Sequence, residues 1–200
     1  LKMGIRIVAV DGNIGAGKTV TLNKLAEMGY TVFEEPISLW QPLLELQQMD
    51  RFRWTFTLQM YALSFFIHIQ KTIAKLDVNS VKDGIVFVER CATSSKVFTK
   101  TAFDDGVLTD LEFSVWDSIY NITFIKPETI FFLNAPISIY MERIKERGRP
   151  GEECLDEKRL ALLDANYKKF YKELPKINID STKTTTEIVS EIITHLSSKV

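Results

Sequence analysis

Apolar and polar positions along the 200-residue chain alternate between short apolar runs and longer segments with helical spacing. Ile5 to Val10 is a β-branched run ending at Asp11-Gly12, and Lys18 to Met28 then carries apolar residues three and four apart before Gly29. That order predicts a strand, a Gly-rich turn and a helix. Thr31 to Phe33 reads as a second short strand, and Leu43 to Met49 as a short helix after Pro42, which suits a first helical turn. Trp54 to Leu76 is too long for a strand, does not alternate and lacks Gly and Pro, so it reads as a long, largely buried helix.

Ile85 to Val88, entered through Asp83-Gly84, and Thr129 to Leu133, ended by Asn134-Ala135-Pro136, are continuous apolar runs of the kind found in central parallel strands. Between them the spacing predicts helices over Ser94 to Thr101 and Asp110 to Tyr120, divided by Asp104-Asp105-Gly106. Pro136 to Glu146 and Leu155 to Glu173 read as helices, Ile177 to Ile179 as a last strand and Thr185 to Ser197 as a closing helix. Strands alternating with helices argue for the α/β class, a central parallel five-stranded sheet with helices on both faces joined by right-handed crossovers. No repeat, low-complexity tract or linker divides the chain, so residues 1–200 are expected to form one domain.

Composition narrows the function classes. Hydrophobic residues make up 46% and charged residues 26%, with Lys+Arg 25 against Asp+Glu 26, which excludes a disordered, collagen-like or disulfide-framework chain. A formal charge of -1 gives no general attraction to nucleic acid or to an acidic membrane, so any basic site must be local. Phe56, Tyr61, Phe65 and Phe66 accordingly read as core packing rather than a base-stacking stripe. Cys91 and Cys154 are too few for a zinc site and read as reduced structural thiols. With no apolar run of roughly 18 residues and no signal-peptide architecture, a reducing, cytoplasmic location is expected. Met3 reads as the natural start behind Leu1 and Lys2, and His68 and His195 as structural.

Gly12-Asn13-Ile14-Gly15-Ala16-Gly17-Lys18-Thr19 matches G-x-x-x-x-G-K-[ST] between a predicted strand and a predicted helix. Its glycines let backbone N–H groups turn inward around phosphate oxygens, and the helix start adds its positive dipole end. Lys18 can then reach the β/γ-phosphates and Thr19 ligate Mg²⁺. A nucleoside triphosphate site with Mg²⁺ follows, and with it a P-loop NTPase-like three-layer fold, but GTPases, ATPases, motors and small-molecule kinases share this loop, so the other motifs have to decide.

Glu34-Glu35-Pro36 follows the second strand, with Trp40 five residues after Glu35; a carboxylate there can accept a proton from an attacking hydroxyl and the indole can face a base. Glu89-Arg90 closes the third strand, where an acid can hold Mg²⁺ and an arginine can neutralise phosphate. Arg143 and Arg147 share a helix face and Arg149 starts the loop Gly148 to Glu153, which suggests a lid at about 147–153 whose guanidinium groups close over a transferring phosphoryl group, with Glu152 in reach of a sugar hydroxyl.

Taken together, these residues resemble the deoxyribonucleoside kinases of the non-zinc, P-loop type, over Ile5 to about Tyr171. The resemblance rests on GNIGAGKT, E-P-x-x-x-W at Glu35 to Trp40, W-T-F-T-L-Q-M-Y at Trp54 to Tyr61, E-R-C at Glu89 to Cys91 and R-x-x-x-R-G-R-x-x-E at Arg143 to Glu152. It implies Glu35 as general base for a nucleoside 5′-hydroxyl, Arg90 positioning that hydroxyl and the phosphates, and Glu89 assisting Mg²⁺. It also implies Arg143, Arg147 and Arg149 as lid arginines and Glu152 as partner of the sugar 3′-hydroxyl. Gln59 falls where the family reads the base edge, and its amide matches thymine in one orientation and cytosine after a flip. Trp40 and Phe66 would border the base.

Three positions depart from the pattern. Cys91 replaces a serine common after Glu-Arg, and Gln48 stands where many members place a tyrosine. Ser95 stands where purine-accepting members carry Asp; a small neutral residue leaves room for a thymine methyl, which favours thymidine over deoxycytidine. A homodimer through helices beside the sheet is implied by the resemblance, the long apolar helix being the candidate contact. The rivals are a thymidylate kinase, although the Gly-Gly and Asp-Arg-Tyr usual in that family are missing, and a catalytically silent nucleotide-binding subunit.

Overall fold

The computed structural model describes residues 4–123, 126–153 and 155–198. Met3 and Cys154 lie outside them. Five strands, β1 (Arg6–Gly12), β2 (Thr31–Phe33), β3 (Ile85–Glu89), β4 (Thr129–Asn134) and β5 (Lys176–Asp180), form one sheet in the order β2-β3-β1-β4-β5. Every pairing is parallel, with Val10 opposite Glu89 on one side and Phe131 on the other. Helices α1 (Lys18–Glu27), α2 (Ile37–Met49), α3 (Arg51–Ile73), α4 (Ala92–Asp104), α5 (Asp110–Thr123), α6 (Ile137–Arg147), α7 (Glu157–Phe170) and α8 (Thr185–Ser197) fill the intervals.

Because side chains alternate across a strand, the central strand feeds two cores. Val8 and Val10 pack with Leu22 and Leu25 of α1 and Ile188 and Ile192 of α8 on one face. Ala9, by contrast, packs with Val97 of α4 and Leu163 and Tyr167 of α7 on the other. Burial on both faces explains why these strands read as unbroken apolar runs. Truncating a fully buried anchor such as Phe87 or Phe131 to Ala costs about 3–5 kcal/mol.

Several helix boundaries shift by two or three residues from the sequence expectation, and two helix starts shift for a visible reason. α2 begins six residues before Leu43, at Ile37, and Pro42 lies inside it rather than in its first turn. The helix starts on the carbonyl of Pro36, which accepts from Leu39 N–H at 2.9 Å, so the earlier proline opens it and Pro42 only withholds one N–H further along. α3 starts at Arg51 rather than Trp54, because the Asp50 side chain accepts from Arg53 N–H at 3.0 Å and caps it. Since all strands run the same way, Gly12, Phe33 and Glu89 end at one edge of the sheet, and the loops that follow them converge there.

Candidate active site

Residues 13–17 turn tightly between β1 and α1. A Cβ on Gly15, where φ is 80°, would sit 2.8 Å from the Tyr140 carbonyl oxygen, and one on Gly12 2.5 Å from that of Leu133. Glycine is therefore required by space as well as by backbone angle. Asn13 secures the turn from beneath, giving Nδ2–H to the Leu160 carbonyl at 2.9 Å and accepting Ile14 N–H at 2.8 Å. Lys18 is buried and donates to the carbonyls of Asn13 at 2.9 Å and Gly12 at 3.3 Å. Burial, and next the Arg90 guanidinium, bring its ammonium down to about 8 against the opposing pull of Glu89, Glu35 and Asp11.

At the ends of β2 and β3, Arg90 Nη1 donates to Glu35 Oε2 at 2.7 Å, both side chains less than a tenth exposed. Burial raises the Glu35 pKa above the ordinary carboxylate range, with Arg90 opposing and Glu89 adding to the rise. Glu89 accepts the Thr19 hydroxyl at 3.0 Å on one oxygen and the Glu35 N–H at 3.3 Å on the other, so the phosphate loop and both strand ends meet at one carboxylate. Arg90 itself has φ of 62°, a left-handed conformation that a side chain rarely adopts. Its N–H is tied to the Val10 carbonyl at 2.9 Å, which turns the chain out of β3 toward α4.

A cavity of about 380 Å³ opens between these groups and α2, α3 and the 147–153 loop. Trp40, Gln59, Phe66 and Ser95 line it together with Lys18, Glu35, Arg90, Arg147, Arg149 and Glu152. Glu152 accepts from Arg147 Nη2 at 2.6 Å and Arg149 Nη1 at 3.4 Å, joining the candidate lid residues to one another. Arg143 takes another place: it lies outside the cavity lining, donating to the carbonyls of Gly15 at 3.4 Å and Ser181 at 2.7 Å, and so braces the back of the phosphate loop. Gln48 gives its amide to Glu153 at 2.9 Å.

Sequence reasoning passed over two groups. Phe98 lines the cavity and lies under the Arg90 guanidinium, 5.2 Å from ring centre to Cζ; its spacing eight residues after Arg90 on a predicted helix was the available signal. The other group is a buried polar network under the loop. Asp11 accepts from Ser94 Oγ, from Tyr171 OH at 2.5 Å and from Gly12 N–H at 2.7 Å, while Arg90 Nε donates to Tyr167 OH at 3.4 Å. Cys91 sits against Asp11, and burial, followed by that carboxylate, pushes its thiol up to about 12, so it is inert at neutral pH. A charged residue inside an apolar strand was the signal for Asp11.

The arrangement offers a loop that can hold a polyphosphate and sets a carboxylate–guanidinium pair facing a half-enclosed apolar slot. Residues 8–199 match the deoxynucleoside kinase family, and the chain belongs to it. A Frog virus 3 (isolate Goorha) protein, provisionally named a deoxynucleoside kinase, is 30% identical over 161 residues, 80% of each chain. The deoxyadenosine kinase of Lactobacillus acidophilus is 27% identical over 195 residues, 90% of this chain and 87% of its own. Among solved structures, deoxyadenosine kinase from M. mycoides with dCMP and dCDP bound superposes with a TM-score of 0.84, covering 96% of this chain and 99% of its own at 23% identity. The fold is thus that of a P-loop kinase, and the activity is that of a deoxynucleoside kinase. No helix among the described residues is long and apolar enough to cross a membrane.

Proposed function

We propose that this kinase transfers the γ-phosphoryl group of ATP to the 5′-hydroxyl of a pyrimidine deoxynucleoside, thymidine first and deoxycytidine second. The observation that carries the reading is the buried Glu35–Arg90 pair at the junction of the phosphate loop and an apolar slot containing Gln59. In this reading Glu35, desolvated and so made more basic than a surface carboxylate, accepts the 5′-hydroxyl proton, while Arg90 orients the hydroxyl and the phosphates. Lys18, Arg147 and Arg149 hold the charge that spreads over the phosphoryl oxygens in flight. Residues 12–19 cradle the triphosphate, Arg143 keeps that loop in shape, and the 147–153 loop closes over it. Trp40 and Phe66 flank the base, Glu152 meets the sugar 3′-hydroxyl, and the small Ser95 leaves space for a thymine methyl group.

Mg²⁺ fits this site: the Thr19 hydroxyl and Glu89 carboxylate already meet at 3.0 Å, and no cluster of three metal-binding side chains occurs among the described residues. An ion kept largely by phosphate oxygens and water needs no more than those two groups. When bound, Mg²⁺ would neutralise charge on the β- and γ-phosphates. The same reading includes a homodimer. The long helix α3, the expected contact, exposes Phe52 and Tyr61, and Leu111, Val115 and Ile122 add an exposed apolar stripe along α5, at spacings that share one helix face. Sedimentation at a single monomer mass at micromolar protein would remove it.

The experiment is radiolabel transfer from Mg-ATP to thymidine, deoxycytidine, deoxyadenosine, deoxyguanosine and thymidine monophosphate in parallel. Preference for thymidine or deoxycytidine is expected. Preference for a purine deoxynucleoside would overturn the base assignment, exclusive use of thymidine monophosphate would make the protein a nucleotide kinase, and no transfer would make it a silent subunit.

A further inference from the structure

Behind Gln59 stands a hydroxyl with one hydrogen and two acceptors. Thr99 Oγ1 lies 2.8 Å from the Ser95 carbonyl oxygen, one helical turn back, and 3.2 Å from Gln59 Oε1, at a position with no solvent exposure. A threonine hydroxyl donates once and accepts through two lone pairs. It can give its hydrogen to Gln59 Oε1 and leave the Ser95 carbonyl to its own helical N–H. Equally, it can give the hydrogen to that carbonyl and accept from the Gln59 amide turned end for end, since amide oxygen and nitrogen occupy equivalent places. Both arrangements leave the inner end of the Gln59 amide and the Ser95 carbonyl satisfied. A valine or alanine at position 99 would satisfy neither.

A second hydroxyl, in the cavity lining, is likewise of no fixed polarity. Ser95 Oγ lines the same space, is 3% exposed and has no hydrogen-bond partner, so it too can donate or accept. The charged residues of the cavity belong to the phosphate loop, the strand ends and the 147–153 loop. Cytosine presents N3 as acceptor beside an N4–H donor, and thymine an N3–H donor beside O4 as acceptor. Reversing the amide converts one match into the other.

We propose that Thr99 is a positioning residue which satisfies Gln59 in either amide orientation, so that the cavity accepts amino and keto pyrimidines with comparable efficiency. This rests on the reading that Gln59 faces the base of a deoxynucleoside substrate. The test compares kcat/KM for thymidine and deoxycytidine in the wild type, Thr99→Val, Thr99→Ser and Gln59→Leu. The wild type is expected to use both within about tenfold. Thr99→Val, which strands the inner end of the amide in both orientations, is expected to lower both values alike by about 5- to 100-fold, the cost of an unsatisfied buried polar group. The loss should lie in the nucleoside KM, with the KM for ATP unmoved, and Thr99→Ser should restore both. A Thr99→Val loss confined to one nucleoside, no loss at all, or a wild-type preference beyond tenfold would overturn the proposal while Gln59→Leu still impairs both. If Gln59→Leu leaves both substrates untouched, the base-facing role of Gln59 itself falls, and the proposal with it.

Discussion

Replacing Glu35 by Gln separates proton transfer from binding at this site. The amide keeps an oxygen for the 2.7 Å bond from Arg90 Nη1 but is no longer a base. Two unit charges about 4 Å apart interact by about 4 kcal/mol at an effective dielectric of 20, a gross figure that desolvation of both groups reduces. Because a charge-assisted bond to the amide oxygen survives, the net loss of stability is expected to be about 1–3 kcal/mol. Catalysis should suffer more: loss of a positioned base lowers kcat by about 10²- to 10⁴-fold, or roughly 3–5 kcal/mol of barrier. The nucleoside KM should change by only a few fold.

The pH profile carries the sign. The base works when ionised, so kcat/KM climbs with pH through the Glu35 pKa, and burial places that limb above the ordinary carboxylate range. The acid limb should vanish in Glu35→Gln. Steady-state coupling to ADP release, with calorimetric titration of nucleoside binding, measures each part. Turnover within tenfold of wild type, or a loss confined to nucleoside affinity, would refute Glu35 as the proton acceptor.

Because the Lys18 ammonium is brought to about 8 in the free protein, and a bound triphosphate favours its charged form, ATP binding should take up a proton around that pH. The ATP dissociation constant should therefore weaken as pH rises above 8, by up to about tenfold per unit; calorimetry in buffers of different ionisation enthalpy measures the uptake. Gly15→Ala forces a Cβ to within 2.8 Å of the Tyr140 carbonyl oxygen and should abolish ATP binding, checked by equilibrium dialysis, without unfolding the sheet seen by circular dichroism. Tyr167→Phe removes the hydroxyl that accepts from Arg90 Nε and should cost about 1–3 kcal/mol of stability in urea titration, together with a kcat loss that exceeds any change in KM.

What the chain order revealed and what it concealed divide along physical lines. Strands buried on both faces have to be apolar throughout, so β1, β3 and β4 could be read directly, and a turn that needs three glycines and a lysine leaves a spacing few other structures require. Glu35 and Arg90 could be paired because both follow parallel strands and so end at the same edge. Arg143 was harder: spacing along a helix places it near the phosphate loop but cannot say whether it faces the cavity or the back of the loop, which depends on how α6 packs against the loop after β5. Thr99 and Tyr167 are ordinary residues of amphipathic helices, and their partners lie 40 and 77 positions away. Only the packing of α3, α4 and α7 brings those hydroxyls to an amide and a guanidinium.

The left-handed backbone at Arg90 makes that position a gauge of what a lineage is selected for. A non-glycine residue there carries a conformational cost of about 1–2 kcal/mol, borne by every folded molecule whether or not it turns over substrate. In a library already holding Glu35→Gln, glycine at position 90 would shed that strain but forfeit the Arg90 contacts with Tyr167, the Gly12 carbonyl and Phe98, so a screen for protease resistance reads the balance of the two without the chemistry. Screening for nucleoside salvage in the Glu35 background should hold arginine. The difference in enrichment between the two screens weighs the chemistry against the fold at a single residue.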